Sequence, residues 1–181
     1  MKYYKEISIP NFDLIVKKCL VFVKSQPFIY FRKVETASYY NLDHSKLKLA
    51  CPELVDAFSF YDLTINYSAV YIMYHPSHTQ PHRDAFHQQA RINIPLMNCH
   101  GTYTTFYKGG ITEPSIHSEL GAPREYVVGG DLEICDKVEI IKPTVLRISE
   151  VHDILMPKNN PVPRINLSLG FEKDPVFLLE E

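Results

Sequence analysis

The chain has 181 residues, 45% of them apolar and 22% charged, with 19 Lys and Arg against 21 Asp and Glu. This is globular composition, enough to bury a core in one domain without disulfide staples. A formal charge of −2 gives no support to a general nucleic-acid binder or to a protein held on an anionic membrane surface, and leaves only a local basic groove open. The first residues, Met1-Lys2-Tyr3-Tyr4-Lys5-Glu6, lack the apolar centre of a signal peptide, and the apolar stretch 19–23 is too short to cross a bilayer. Cys19, Cys51, Cys99 and Cys135 form no CxxC pair, and scattered thiols fit a reducing compartment. The expectation is a cytoplasmic protein without membrane association; nothing in the sequence speaks to its oligomeric state.

Residues 4–9 read as a strand. Phe12, Ile15, Val16, Cys19, Leu20 and Val23 then fall at helical spacing behind Asn11, an N-cap candidate, and the β-branched content of 20–23 leaves the helix end open. Residues 28–34 read as a strand, and Pro52 starts a second helix with Leu54, Val55 and Phe58 on one face. Past residue 63 the pattern changes. Segments 64–74, 91–97, 102–107, 125–128, 132–141, 145–149, 154–156 and 164–171 read as short strands separated by Pro, Gly, Asn and Asp turns. Such a series suggests a sandwich, barrel or jelly roll. The expected organisation is a single domain: an α/β N-terminal layer at 1–63, a β core at 64–172 and a tail at 173–181.

Four of the eight histidines crowd into residues 75–87. Pro76 and Pro81 forbid a regular helix there, so His78 and His82 do not make a helical HxxxH zinc pair. His82-x-Asp84 is different. On an extended backbone residues i and i+2 point the same way, so both side chains can grip one ion. A second, distant His would complete a set of two His and one carboxylate, which leaves three coordination positions open. A turn with an Asx hydrogen bond is the alternative reading. Downstream, His152 opens a strand, and 164–171 alternates strictly: Arg164, Asn166 and Ser168 on one face, Ile165, Leu167 and Leu169 on the other. An Arg fork beside an amide and a hydroxyl can hold a carboxylate; an ordinary solvent-facing strand side is the alternative.

His82-x-Asp84, His152 after 67 intervening residues and Arg164 twelve residues later together resemble the 2-oxoglutarate/Fe(II)-dependent oxygenase superfamily. A Tyr-rich strand before His82, the run Arg91-Ile92-Asn93-Ile94-Pro95-Leu96 and Arg164-x-Asn166-x-Ser168 extend the resemblance over residues 64–172. It implies a mainly β fold, a double-stranded β-helix or cupin-like jelly roll, with an N-terminal helical layer. It implies Fe(II) held by His82, Asp84 and His152, and 2-oxoglutarate held at its distal carboxylate by Arg164 with Asn166 or Ser168 beside it. With O2 as the other cosubstrate, oxidative decarboxylation to succinate and CO2 would oxidise a substrate C–H bond, and the presence of Asp84 makes hydroxylation the default. Tyr71, eleven residues before His82, and Asn93 are candidates to contact the cosubstrate; Arg83 and Arg91 are candidates for the substrate. The substrate is expected to be a small molecule or a protein side chain. Gly170 and Phe171 stand where the nucleic-acid demethylase branch carries a further Arg, so nucleic acid is not expected. The alternative is a cupin-like metal-binding protein, or a cupin enzyme independent of 2-oxoglutarate that draws ligands from His75, His78 or His100.

Overall fold

The computed structural model describes residues 1–27, 37–84, 87–114 and 124–180. The strand expected at 28–34 lies outside the described residues. In chain order the elements are β1 (Tyr4–Glu6), α1 (Phe12–Lys24), β2 (Ala37–Asn41), α2 (His44–Ala50), α3 (Pro52–Ser59), β3 (Ile65–Met73), β4 (Ser77–His78), β5 (His82–Asp84), β6 (Ala90–Met97), β7 (Tyr103–Pro114), β8 (Arg124–Glu139), β9 (Thr144–Arg147), β10 (His152–Met156), β11 (Arg164–Phe171) and α4 (Phe177–Glu180).

The strands form two sheets. A six-stranded sheet runs β1-β9-β6-β11-β3-β2, and a five-stranded sheet runs β4-β10-β5-β8-β7, with β10 also paired to β7. The strand pairings are antiparallel. The result is the mainly β, jelly-roll architecture that the strand series suggests.

Period-two alternation gives each strand of the large sheet two different faces. Val70 and Ile72 of β3, Ile92 and Ile94 of β6, and Ile165, Leu167 and Leu169 of β11 join one apolar core with the helices. Helix α1 contributes Ile15, Cys19 and Val23, four residues apart on one stripe. Leu47 of α2 and Leu54 and Phe58 of α3 complete the cover, with the Phe58 ring 5.1 Å from that of Phe171. The opposite face of the large sheet looks at the small sheet, and the candidate site lies between them.

Several local expectations are corrected. Asn11 takes a left-handed conformation (φ 56°) and its side chain caps nothing, whereas Asp43 caps α2, a helix the sequence reading did not anticipate, by accepting from the backbone N–H of Ser45 and Lys46. The first strand stops at Glu6, and β1 and β2 are edge strands of the large sheet, so the N-terminal segment supplies strands as well as helices. Segment 125–128 and residues 132–139 of the next expected strand are one strand, β8, which ends at Glu139. The glycines that read as a turn are bulges in the β7–β8 ladder: Gly109, Gly110 and Gly130 have φ near 80° (82°, 81° and 80°), and a Cβ on Gly109 would sit 2.4 Å from the Asp131 carbonyl oxygen. Beyond β11, α4 buries Leu178 and Leu179 in the core. Cys19, Cys51 and Cys99 are buried thiols and Cys135 is partly exposed. Among the described residues no helix is long and apolar enough to cross a membrane.

Candidate active site

Strands β5 and β10 pair so that His82 and His152 stand directly opposite each other. Both rings project between the sheets, with centroids 4.6 Å apart. Each ring is fixed by its own strand: Nδ1 of His82 meets the Gln80 carbonyl oxygen at 2.8 Å, and Nδ1 of His152 meets the Glu150 carbonyl oxygen at 2.9 Å. A ring that donates from Nδ1–H to a carbonyl leaves Nε2 deprotonated, the form that binds a metal. His82 Nε2 is buried and without a hydrogen-bond partner. Burial, the Arg124 guanidinium and His152 hold the His82 pKa well below its ordinary 6.5, so the neutral ring is favoured.

Asp84 follows at i+2, and its Oδ1 lies 3.7 Å from His82 Nε2. One ligand atom from each of His82, Asp84 and His152 falls within 4.8 Å of the others. An orphaned buried imidazole nitrogen, a second imidazole and a carboxylate form a donor set suited to a first-row divalent metal.

The facing side of β11 supplies the other half. Arg164, Asn166 and Ser168 line the same cavity as the three clustered side chains, and Ile165, Leu167 and Leu169 point into the apolar core. Arg164 is 2% exposed. Its Nε donates to Thr102 Oγ1 at 3.1 Å, while its Nη1 is buried with no partner. The register sets Asn166 opposite Tyr71 and Ser168 opposite Asn93. The Tyr71 hydroxyl is a third buried orphan, and burial raises its pKa, so it remains protonated. Asn166 Nδ2 donates to Asn93 Oδ1 at 2.6 Å, and Thr104 adds another orphaned hydroxyl to the lining. Buried polar atoms left unpaired are costly. Their convergence on one cavity marks it as a place for a polar guest. Ile140, Leu146, Ile148 and Ile154 form its apolar walls.

The eight residues expected at the metal and the cosubstrate, His82, Asp84, His152, Arg164, Asn166, Ser168, Tyr71 and Asn93, therefore line one cavity, and the substrate candidates Arg83 and Arg91 do not. The candidates for substrate contact divide. Arg83 points away and pairs with Glu125, while Arg91 is buried and donates from Nη1 to the Tyr39 hydroxyl at 3.1 Å. The histidines of the cupin alternative sit elsewhere: His75 is exposed, His78 Nε2 pairs with Asp153 at 2.7 Å, and His100 pairs with Glu139 on the surface. Sequence reasoning missed Arg124, Tyr39, Thr102 and Thr104. Arg124 is 6% exposed, stands opposite Asp84 in the β5–β8 ladder, and sets its Nε 3.3 Å from Asp84 Oδ1.

Fold and site together define a double-stranded β-helix protein with a cluster of two histidines and one carboxylate between its sheets. No protein-family model matches the chain, and no curated protein matches its sequence. Solved structures match in fold. AviO1 from Streptomyces viridochromogenes Tue57 is 13% identical, aligned over 96% of this chain and 90% of its own, with a TM-score of 0.52. A Pseudomonas putida prolyl-4-hydroxylase is 12% identical over 94% of this chain and 92% of its own, with a TM-score of 0.53. The epimerase SnoN, in complex with Fe3+, alpha ketoglutarate and nogalamycin RO, is 14% identical over 99% of this chain and 85% of its own, with a TM-score of 0.51. Likeness at this identity establishes the shared fold.

Proposed function

We propose that this chain is an Fe(II)- and 2-oxoglutarate-dependent dioxygenase that hydroxylates a small molecule or a protein side chain. One observation carries the reading: two imidazoles and a carboxylate whose ligand atoms lie within 4.8 Å of one another share a cavity with a buried, half-unpaired guanidinium. Two of the solved structures support parts of this reading: one is a prolyl-4-hydroxylase, the other an alpha ketoglutarate dependent epimerase.

In this reading His82, Asp84 and His152 hold the iron. The two Nδ1–carbonyl bonds keep both rings in the ligating tautomer and aimed inward before the metal arrives. Arg164 receives the distal carboxylate of 2-oxoglutarate on its free Nη1, while its Nε bond to Thr102 fixes the plane of the fork. The Tyr71 hydroxyl, protonated because it is buried, donates to the same ligand. Ser168 and the Asn93–Asn166 amide pair present further polar groups along it. The apolar walls exclude water and strengthen each of these electrostatic contacts. Bound iron with 2-oxoglutarate and O2 supplies the oxidising chemistry, giving succinate, CO2 and an oxidised substrate C–H bond.

Anaerobic addition of Fe(II) and then 2-oxoglutarate to the protein is expected to produce a visible metal-to-ligand charge-transfer band, and His152→Ala is expected to abolish it. A wild-type protein that binds iron without the band would favour a cupin-type role. No iron binding at all would sink the reading.

A further inference from the structure

The cavity has a guanidinium at each end. Strand β10 orders the small sheet along the cavity: His152 faces His82 and Phe106, and Ile154 faces Thr104. The Ile154 side leads to Arg164, through Thr102, the residue just before β7. Because β5 runs antiparallel to β10 from the His152–His82 pair, Asp84 lies on the other side of the two histidines, and Arg124 pairs with it there. Arg164 and Arg124 are 2% and 6% exposed, so both charges are removed from water.

The two cations differ in what answers them. In the oxygenase reading, on which this inference rests, 2-oxoglutarate spends its distal carboxylate on Arg164 and its other carboxylate at the metal. The Arg124 charge is balanced by Asp84 only as long as Asp84 is not shared with a cation. A divalent metal, one carboxylate ligand, a dianionic keto acid and two guanidinium groups leave one surplus positive charge in a buried cavity. Buried charge without a counterion is strongly disfavoured. Nε of Arg124 is engaged with Asp84 and the guanidinium also meets the Tyr126 side chain, but it carries five N–H donors in a planar fork and can still serve a second carboxylate. A further cation, Arg91, orients the Tyr39 hydroxyl, which lines the same cavity, and Tyr39 is close enough to feel the charge of Asp84.

We propose that Arg124 is the recognition residue for the primary substrate, and that this substrate is a small organic acid whose carboxylate docks on Arg124, across the metal ligands from the end that takes 2-oxoglutarate. Because Arg124 is buried, its anion must enter the cavity, which favours a free acid over an acidic patch on a macromolecule.

The test is a binding experiment on anaerobic protein saturated with Fe(II) and 2-oxoglutarate. Propionate and benzoate are titrated against propionamide and benzamide, and displacement of the charge-transfer band gives each dissociation constant. At least one acid is expected to bind about tenfold more tightly than its amide, the equivalent of one modest charge-assisted contact. Arg124→Gln is expected to reduce that preference to less than about twofold. Since Arg124→Gln also removes a partner of Asp84, Arg124→Lys is measured beside it; it keeps the charge and is expected to keep most of the preference. A normal band with acids and amides bound equally by the wild type overturns this proposal alone, as does an Arg124→Lys protein that retains the band and loses the preference. Absence of the band in wild-type protein overturns the oxygenase reading and this proposal with it.

Discussion

The two faces of β11 are equally buried and chemically opposite. Every residue from Arg164 to Phe171 is buried, yet Ile165, Leu167 and Leu169 join the apolar core while Arg164, Asn166 and Ser168 line the cavity. Alternation of this kind ordinarily signals a half-exposed strand, with its polar side in water. Here the second sheet covers the polar side, and the unpaired atoms on it, Arg164 Nη1 and Asn166 Oδ1, are what water or a ligand would otherwise satisfy. One face packs the core and the other, in the oxygenase reading, is kept for chemistry. Function can therefore be separated from folding along a single eight-residue strand.

The sharpest way to break this contrast is to mutate each face in turn. Leu167→Ala, at a position with 0% exposure, is expected to cost about 2–5 kcal/mol of folding stability, read by calorimetry, while the folded fraction keeps its 2-oxoglutarate affinity. Arg164→Met is expected to do the reverse. It should weaken 2-oxoglutarate by about 2–4 kcal/mol while shifting folding stability by less than about 1 kcal/mol in either direction, since the replaced guanidinium is buried and half unpaired. If Arg164→Met unfolds the protein as Leu167→Ala does, the division of labour between the faces fails.

The smallest effect concerns pH. His82 in the folded chain has a pKa well below its ordinary 6.5. Above pH 6.5 the ring is neutral in both folded and unfolded protein and contributes nothing. Below it the unfolded chain takes up a proton that the folded chain refuses, so stability falls with acidification by up to about 1.4 kcal/mol per pH unit from this group. Metal-free His82→Asn is expected to show a shallower decline between pH 6.5 and 5 than metal-free wild type. Parallel curves would show that the ring is not held neutral.

What was legible in the sequence is what a single strand decides. His82 and Asp84 share a side because they are two apart on an extended backbone, and the β11 alternation is visible without a partner. Tyr71 and Asn93 followed from the resemblance and lie on strands whose register the apolar pattern pins. Arg124 was not legible. It comes within reach of Asp84 only through the β5–β8 register, across 39 intervening residues, and nothing local distinguishes it from Arg83, which pairs with Glu125 at the surface. Thr102 and Tyr39 were lost for the same reason. The long β7–β8 ladder was read as shorter strands because glycines at positive φ serve turns and bulges alike. Helix α2 is only seven residues long, too short for its periodicity to stand out, although Asp43 is an ordinary start signal.

The anchoring of the two histidines has a consequence for how such a site endures. Each Nδ1 is held by the carbonyl two residues upstream on the same chain, Gln80 for His82 and Glu150 for His152. Every residue type carries that carbonyl. The aim of the two imidazoles therefore asks nothing of neighbouring side chains, only that the two strands keep their course. Replacement of Gln80 or Glu150 by almost any residue leaves the anchor in place, so the surrounding sequence is free to drift while the orientation of the two rings is inherited through the backbone.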